Sequence, residues 1–163
     1  MTIERNADGL VRAYGSDAGQ PTNGTVGSPA TRGSDLELVA DIDYRDLPAA
    51  GASATLDPMY VAALPEGALI TDAKLDVTEA FTSGGAATLD LGLVQENGTA
   101  VDLDGIDAAI ALSAINGVGD RVECDGALVN GAAVSARSFL SASVGTAAYT
   151  AGKARLVISY RLV

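Results

Sequence analysis

The chain has 163 residues, enough for one domain with a real core, and its 48% hydrophobic residues include only 4% aromatics and no Trp. Its formal charge of −11, with only Lys74 and Lys153 as lysines among ten basic residues, argues against nucleic-acid phosphates or an anionic membrane surface as a partner, because both are bound through Lys and Arg. Histidine is absent and Cys124 is the only cysteine, which removes the usual general base, an internal disulfide and any thiol-rich metal site.

In chain order, Met1-Thr2-Ile3-Glu4-Arg5-Asn6 lacks the basic and apolar regions of a signal peptide, so a soluble protein made in the cytoplasm is expected. Residues 1–35 are rich in Gly, Ser, Thr, Asn and Pro and bury too little apolar surface to offset their ordering entropy. They predict an extended N-terminal arm, in which only Gly9-Leu10-Val11-Arg12-Ala13-Tyr14 has the pattern of a short strand. Ile3, Arg5, Leu10, Val11, Arg12 and Tyr14 are the arm's candidate contacts with a partner, since an extended segment gains order by adding hydrogen bonds to another protein's sheet edge.

From Leu36 the pattern turns to a period of two, with Leu36, Leu38, Ala40 and Ile42 on one face and Glu37, Asp41 and Asp43 on the other. A loop through Arg45-Asp46-Leu47-Pro48 and Ala50-Gly51-Ala52-Ser53 leads to an apolar run, Met59 to Leu64, and Pro65-Glu66-Gly67 makes a turn. Leu69, Ala73, Leu75, Val77 and Phe81 then face one way, and Ala87, Leu89, Leu91 and Leu93 alternate in the next strand. Joined by Ser83-Gly84-Gly85, these two strands read as the clearest hairpin.

Glu96-Asn97-Gly98 turns the chain into a short strand near Ala100 to Leu103. Asp104 to Ile115 is the one predicted helix, with Asp104 as cap and Ile106, Ala109, Ile110 and Ala114 at helical spacing. A weak strand near Ala127 to Val134 and a better one, Ser138 to Val144, follow. In the last strand Ala154, Leu156, Ile158, Tyr160 and Leu162 oppose Lys153, Arg155, Ser159 and Arg161. The expected fold is all-β: an antiparallel β-sandwich, jelly-roll-like, over residues 36–163, with one short helix and an extended arm over 1–35.

Little in this pattern carries chemistry. Asp102, Asp104 and Asp107 lie close together, but Gly105 takes the fourth position of the run rather than the sixth of a calcium loop, and Ser113 stands where its bidentate Glu belongs. Asp41 with Asp43, and Asp102 with Asp104, have the spacing of paired carboxylates, yet no platform of Trp and Tyr for a sugar accompanies them. No phosphate-binding glycine loop, nucleophile elbow or Cys-x-x-Cys motif is present. Cys124 reads as a small core or edge residue. No catalytic, cofactor-binding or metal-binding residues are assigned, and no cofactor is expected. Lys153, Arg155 and Arg161 are the candidate contacts of the sandwich, as basic residues gathered on one face of an acidic protein.

Pro65-Glu66-Gly67-Ala68-Leu69-Ile70-Thr71-Asp72-Ala73-Lys74-Leu75-Asp76-Val77, followed by Ala80-Phe81 and by Ala87-Thr88-Leu89-Asp90-Leu91-Gly92, resembles a stretch of small structural proteins of tailed bacteriophages. Ala151-Gly152-Lys153-Ala154-Arg155-Leu156-Val157-Ile158-Ser159-Tyr160 is similar to their closing strand. The resemblance covers residues 59–94 and 138–163. It implies a capsid decoration, or cement, protein with a jelly-roll-like fold, sitting as a trimer on the outer capsid surface. The implied partners are the major capsid protein and further copies of the chain, and the implied location is the virion after synthesis in the host cytoplasm. A tail, neck or head-fibre component, or a carbohydrate-binding module, are the alternative readings.

Overall fold

The computed structural model describes residues 35–56 and 63–163, together with the strand backbones Thr2–Arg5 and Val11–Tyr14. The chain divides into two units, Met1–Arg32 and Gly33–Val163. In the first, β1 (Thr2–Arg5) and β2 (Val11–Tyr14) pair antiparallel as a two-stranded sheet of their own, with Ile3 opposite Ala13 and Glu4 opposite Arg12. Leu10 lies outside the described residues, as do the side chains of Ile3, Arg5, Val11, Arg12 and Tyr14.

In the second unit the described strands are β3 (Leu36–Asp43), β4 (Ala52–Thr55), β5 (Ala63–Leu64), β6 (Ala68–Ser83), β7 (Thr88–Gln95), β8 (Ala100–Ala111), β9 (Arg121–Glu123), β10 (Ser138–Gly145) and β11 (Tyr149–Leu162). One sheet has the order β3-β11-β6-β9; the other has β4-β10-β7-β8, with β5 also on β10. The antiparallel pairs are nested: β7 with β8, β6 with β9, β4 with β10, β3 with β11. This is the order of a long hairpin rolled into two layers, the jelly-roll arrangement.

Alternation explains the layers. Ile42 on β3, Ala73, Leu75 and Val77 on β6, and Ala154, Leu156 and Ile158 on β11 are buried from one sheet. Leu89, Leu91 and Leu93 on β7 and Leu140, Ala142 and Val144 on β10 are buried from the other. These side chains belong to one apolar cluster, in which Phe81 meets Tyr149 edge to face at 5.3 Å. With so few rings, the filling is done mainly by Leu, Ile, Val and Ala.

The expected helix over Asp104–Ile115 is not formed. Those residues complete the strand β8 and then make a single 3₁₀ turn, Leu112–Ala114. Ile106 and Ile110 do share the buried side, as residues four apart do in a strand of period two no less than in a helix, and the strand is bulged: the twelve residues of β8 run opposite only Thr88–Val94. Ala109 sits in the left-handed region at φ 53°, and its N–H is held by the Asp90 carboxylate at 2.6 Å.

The expected hairpin between the strands around Leu75 and Leu91 is likewise replaced. Consecutive β6 and β7 belong to opposite sheets and meet face to face through the core, whereas the tight hairpin is β7–β8. Its turn has Gly98 at φ 81°, and the Asn97 side chain accepts from the Thr99 N–H at 2.9 Å. The stretch Ala127–Val134 forms turns with one parallel bridge, Val129 to Ile70, rather than a strand. Of the apolar run Met59–Leu64, residues 59–62 lie outside the described residues, and Ala63–Leu64 form β5. The loop read through Ala52-Ser53 is instead the start of β4.

Leu69 is only half-buried, and Ala68 and Ile70 take the inward positions. The register shows why: β6 carries an extra residue at Thr71 and another at Thr78 relative to β11. At each bulge the threonine hydroxyl donates to a β11 carbonyl, Thr71 to Ser159 and Thr78 to Lys153, both at 3.1 Å.

The β8 bulge sits directly over Gly92, where a Cβ would lie inside the carbonyl oxygen of Asp102 and the backbone of Leu103. Backbone cannot yield as a flexible side chain does. Gly92→Ala should therefore cost about 2–4 kcal/mol in denaturant unfolding, while Gly84→Ala, which meets open space, should be near neutral.

Candidate assembly interface

The outer face of the β3-β11-β6-β9 sheet is built by the residues that alternate with the core. The register sets Asp41, Arg155, Asp76 and Arg121 in one row across all four strands, with signs alternating. Arg155 reaches Asp41 through Nε at 2.8 Å and a second guanidinium nitrogen at 3.3 Å, and Arg121 Nε donates to Asp76. In the next row Lys153 stands between Asp43 and Glu79, at 3.7 and 3.5 Å. On the other side Lys74 bridges Asp72 at 2.9 Å and Glu123 at 3.7 Å. Opposite charges facing each other across strands favour this register over a slipped one.

The electrostatic consequences follow from contact. The hydrogen bond from Arg155 holds the Asp41 carboxyl below its ordinary value, and Asp41 in turn raises the guanidinium of Arg155. Asp72 raises the Lys74 ammonium, and Asp76 raises Arg121. These groups are largely exposed, so solvent screens most of the attraction.

Lys153, Arg155 and Arg161 all lie on the outward side of β11, but they do not form one basic patch. Lys153 and Arg155 line a groove of about 470 Å³ together with Asp41, Asp43 and Asp46, so their charge is met within the chain. Arg161 is six residues further along, about 20 Å at the rise of a strand. It is exposed, and among the described residues it has no acidic partner. Half-buried Leu69 is opposite it in β6, and Leu162 beside it is 56% exposed.

The paired carboxylates noted in the sequence separate in the same way. Asp41 and Asp43 each hold a cation. Asp104 donates its backbone N–H to the Asp102 carboxylate at 3.4 Å, and a hydrogen bond between their side chains raises the Asp102 carboxyl. Asp107 is buried beside Cys124. No group of three or more metal-ligating side chains converges among the described residues.

Sequence reasoning missed that the acids opposite Lys153 and Arg155 are their partners. A signal was present in Asp41 and Asp43 lying on the same parity as the outward residues of β3. It could be used only once β3 and β11 were known to be neighbours. Also unforeseen is an uncharged slot of about 170 Å³ on the outer side of the other sheet, lined in part by Thr55, Val94, Ala100, Leu103 and Ser141.

No family model matches the chain, and no curated protein matches it. Solved structures do. A chain of the capsid asymmetric unit of cyanophage Pam1 aligns with a TM-score of 0.61 at 18% identity, covering 91% of this chain and 100% of that one. A chain in the capsid of Ralstonia phage GP4 aligns at 0.55 and 22% identity, covering 80% and 86%. One from the acidic stable capsid structure of Helicobacter pylori bacteriophage KHP30 aligns at 0.54 and 15% identity, covering 80% and 90%. At these identities the likeness establishes a common fold.

The register generates a contrast between two cations of one strand. Arg155→Glu would set an acid between Asp41 and Asp76 and should lower the denaturation midpoint, with β3 the first strand to lose amide protection. Arg161→Glu touches no described ion pair and should leave the midpoint unchanged. Equal effects of the two reversals would refute the cross-strand row as a source of stability.

Proposed function

We propose that the protein is a structural subunit of a bacteriophage virion that decorates the capsid and stabilises it by bridging major capsid protein subunits. The observation that carries this reading is the likeness of fold over nearly the whole chain to a chain of a phage capsid asymmetric unit. The protein works by assembly rather than by catalysis, without a cofactor, as a homo-oligomer that we take to be a trimer. Its place is the outer capsid surface, after synthesis in the host cytoplasm.

Charge distribution supports a division of labour between residues 1–35, an arm, and residues 36–163, a sandwich. Residues 1–35 contain four acids, Glu4, Asp8, Asp17 and Asp35, and three bases, Arg5, Arg12 and Arg32. All but one unit of the formal charge of −11 therefore falls on the remainder. A nearly neutral arm can approach an acidic neighbour where the sandwich itself is repelled. A two-stranded ribbon such as β1–β2 is marginal alone and gains most by extending another sheet. Three arms on one trimer would also raise one another's effective concentration, so contacts that are weak singly become durable together.

Of the three cations on β11, Arg161 is the one left over for a partner, because Lys153 and Arg155 are already paired. With Leu162 and Leu69 it makes a mixed apolar and basic surface suited to a carboxylate on an apolar ground.

The test is a comparison of particles with and without the protein. Particles lacking it should assemble but break at lower temperature or under milder osmotic shock, and restoring the protein should restore resistance. Equal robustness would sink the cementing role, and localisation to the tail, neck or fibres in purified particles would move the protein there. Binding to a glycan array would instead favour a carbohydrate-binding module. Deleting residues 1–35 should leave the sandwich folded but abolish particle binding, and Arg161→Glu should weaken binding where the melting temperature does not change.

A further inference from the structure

Residues 121–134 form a strap across one open edge of the sandwich. Its backbone is bonded to both sheets in turn. The Cys124 N–H donates to Ala73 of β6 at 2.9 Å, that of Gly126 to Ile106 of β8 at 2.9 Å, and that of Leu128 to Gly105 at 2.8 Å. Asn130 and Val134 then return to Ile70 and Ala68 of β6, each at 2.8 Å. A Cβ at Gly126 would lie inside the backbone of Gly105 and Ile106, so strap and β8 touch main chain to main chain.

At the centre of this contact is Asp107 of β8, 6% exposed. The Cys124 thiol and the Ala108 N–H stand beside its carboxyl and favour the ionised form, though less than burial disfavours it. The other titratable groups that face it are acidic: Asp125 on the strap and Asp90 on β7. No Lys or Arg is paired with it among the described residues. A buried carboxylate in that setting has little to offset its lost hydration, and the neighbouring carboxylates add repulsion.

We propose that Asp107 is a proton-operated latch, which draws the strap onto β8 when its carboxyl is protonated and loosens that edge when it is ionised. Protonation removes the only charge buried at the contact while leaving oxygen and hydrogen to bond the thiol and the backbone. Burial, and after it the charge of Asp125, pushes the carboxyl above its ordinary value, so the folded state takes up the proton at a higher pH than the unfolded chain does. The stability that protonation provides is complete below the unfolded value of 3.8 and is lost as pH rises through the folded one. The same burial, followed by the charge of Asp107, pushes the Cys124 thiol up to about 12, so the thiol remains a proton donor throughout this range.

The experiment is amide hydrogen exchange of the full-length protein from the ordinary carboxyl value of 3.8 upward to about pH 8, corrected for intrinsic exchange, read at Gly126 and Leu128. Wild type should lose protection severalfold at these amides as pH rises. Asp107→Asn should hold it constant and melt higher than wild type at neutral pH. Cys124→Ala, which removes a donor to the carboxylate, should move the loss to higher pH, and it tests the latch even if the first variant folds poorly. The Asp102 and Asp104 pair is the rival source of acid stabilisation, so a pH response that survives Asp107→Asn and disappears in Asp102→Asn would overturn the proposal. So would strap protection in wild type that does not change with pH.

Discussion

The two-residue period of β11, kept in step with its neighbours on both sides, is the constraint on which the rest of the structure depends. β11 is a long central strand, paired with β3 along one side and β6 along the other. Its inward residues Ala154, Leu156 and Ile158 fill the core, and its outward residues Lys153 and Arg155 make the ion pairs. A slip of one residue against either neighbour would send carboxylates inward and leucines out, a cost that falls on both faces together. Thr71 and Thr78 absorb two of the four places where β6 and β11 fall out of step, because each hydroxyl bonds to the opposite strand at its bulge. Gly152 marks another: at φ 133° it lies against the Phe81 ring, where a side chain would collide with both ring and backbone.

How far the fold was legible in the sequence follows from what periodicity can report. It reports which face of a strand is buried, and it did so for Leu36–Asp43, for Leu89, Leu91 and Leu93, and for Ala154, Leu156 and Ile158 of the closing strand, which yields an antiparallel sandwich. It does not report which strand lies alongside. The Leu75 and Leu91 strands both turn an apolar face inward, and that is equally true of hairpin partners and of strands facing each other from opposite layers. The nested pairing of a jelly roll joins β3 to β11 across the length of the sandwich, and no local signal carries it. The helix over Asp104–Ile115 failed for a related reason: residues four apart share a face in a strand and in a helix alike, so Ile106 and Ile110 fit a turn of helix as well as they fit β8.

The candidate interface was legible in part on the same principle. Parity alone put Lys153, Arg155 and Arg161 on a common face, as found. Their electrostatic state was not readable, because it depends on what the neighbouring strands present at the same level. Asp41 and Asp43 belong to β3 and Glu79 to β6, and only the register brings them to Arg155 and Lys153. A strand that reads as basic in isolation thus becomes part of an alternating field. Arg161 escapes because β6 presents Leu69, not an acid, at its level.

Two acidic regions of the sandwich respond to protons in opposite senses. Asp41, held below 3.8 by Arg155, supports the β3 edge above that value, and the support is lost as pH falls through its folded value. Asp107, held above 3.8 by burial, gives the strap its tighter state below its folded value and loosens it above. The intervals do not conflict: between the ordinary carboxyl value and the raised value of Asp107, the ion pair of one edge and the protonated latch of the other are in place together. Rising pH relaxes the strap first. Strong acid releases the charged face first. An acidic protein with no histidine can therefore carry a pH response at two opposite edges using carboxyl groups alone, because burial and cationic neighbours move the same chemical group in opposite directions.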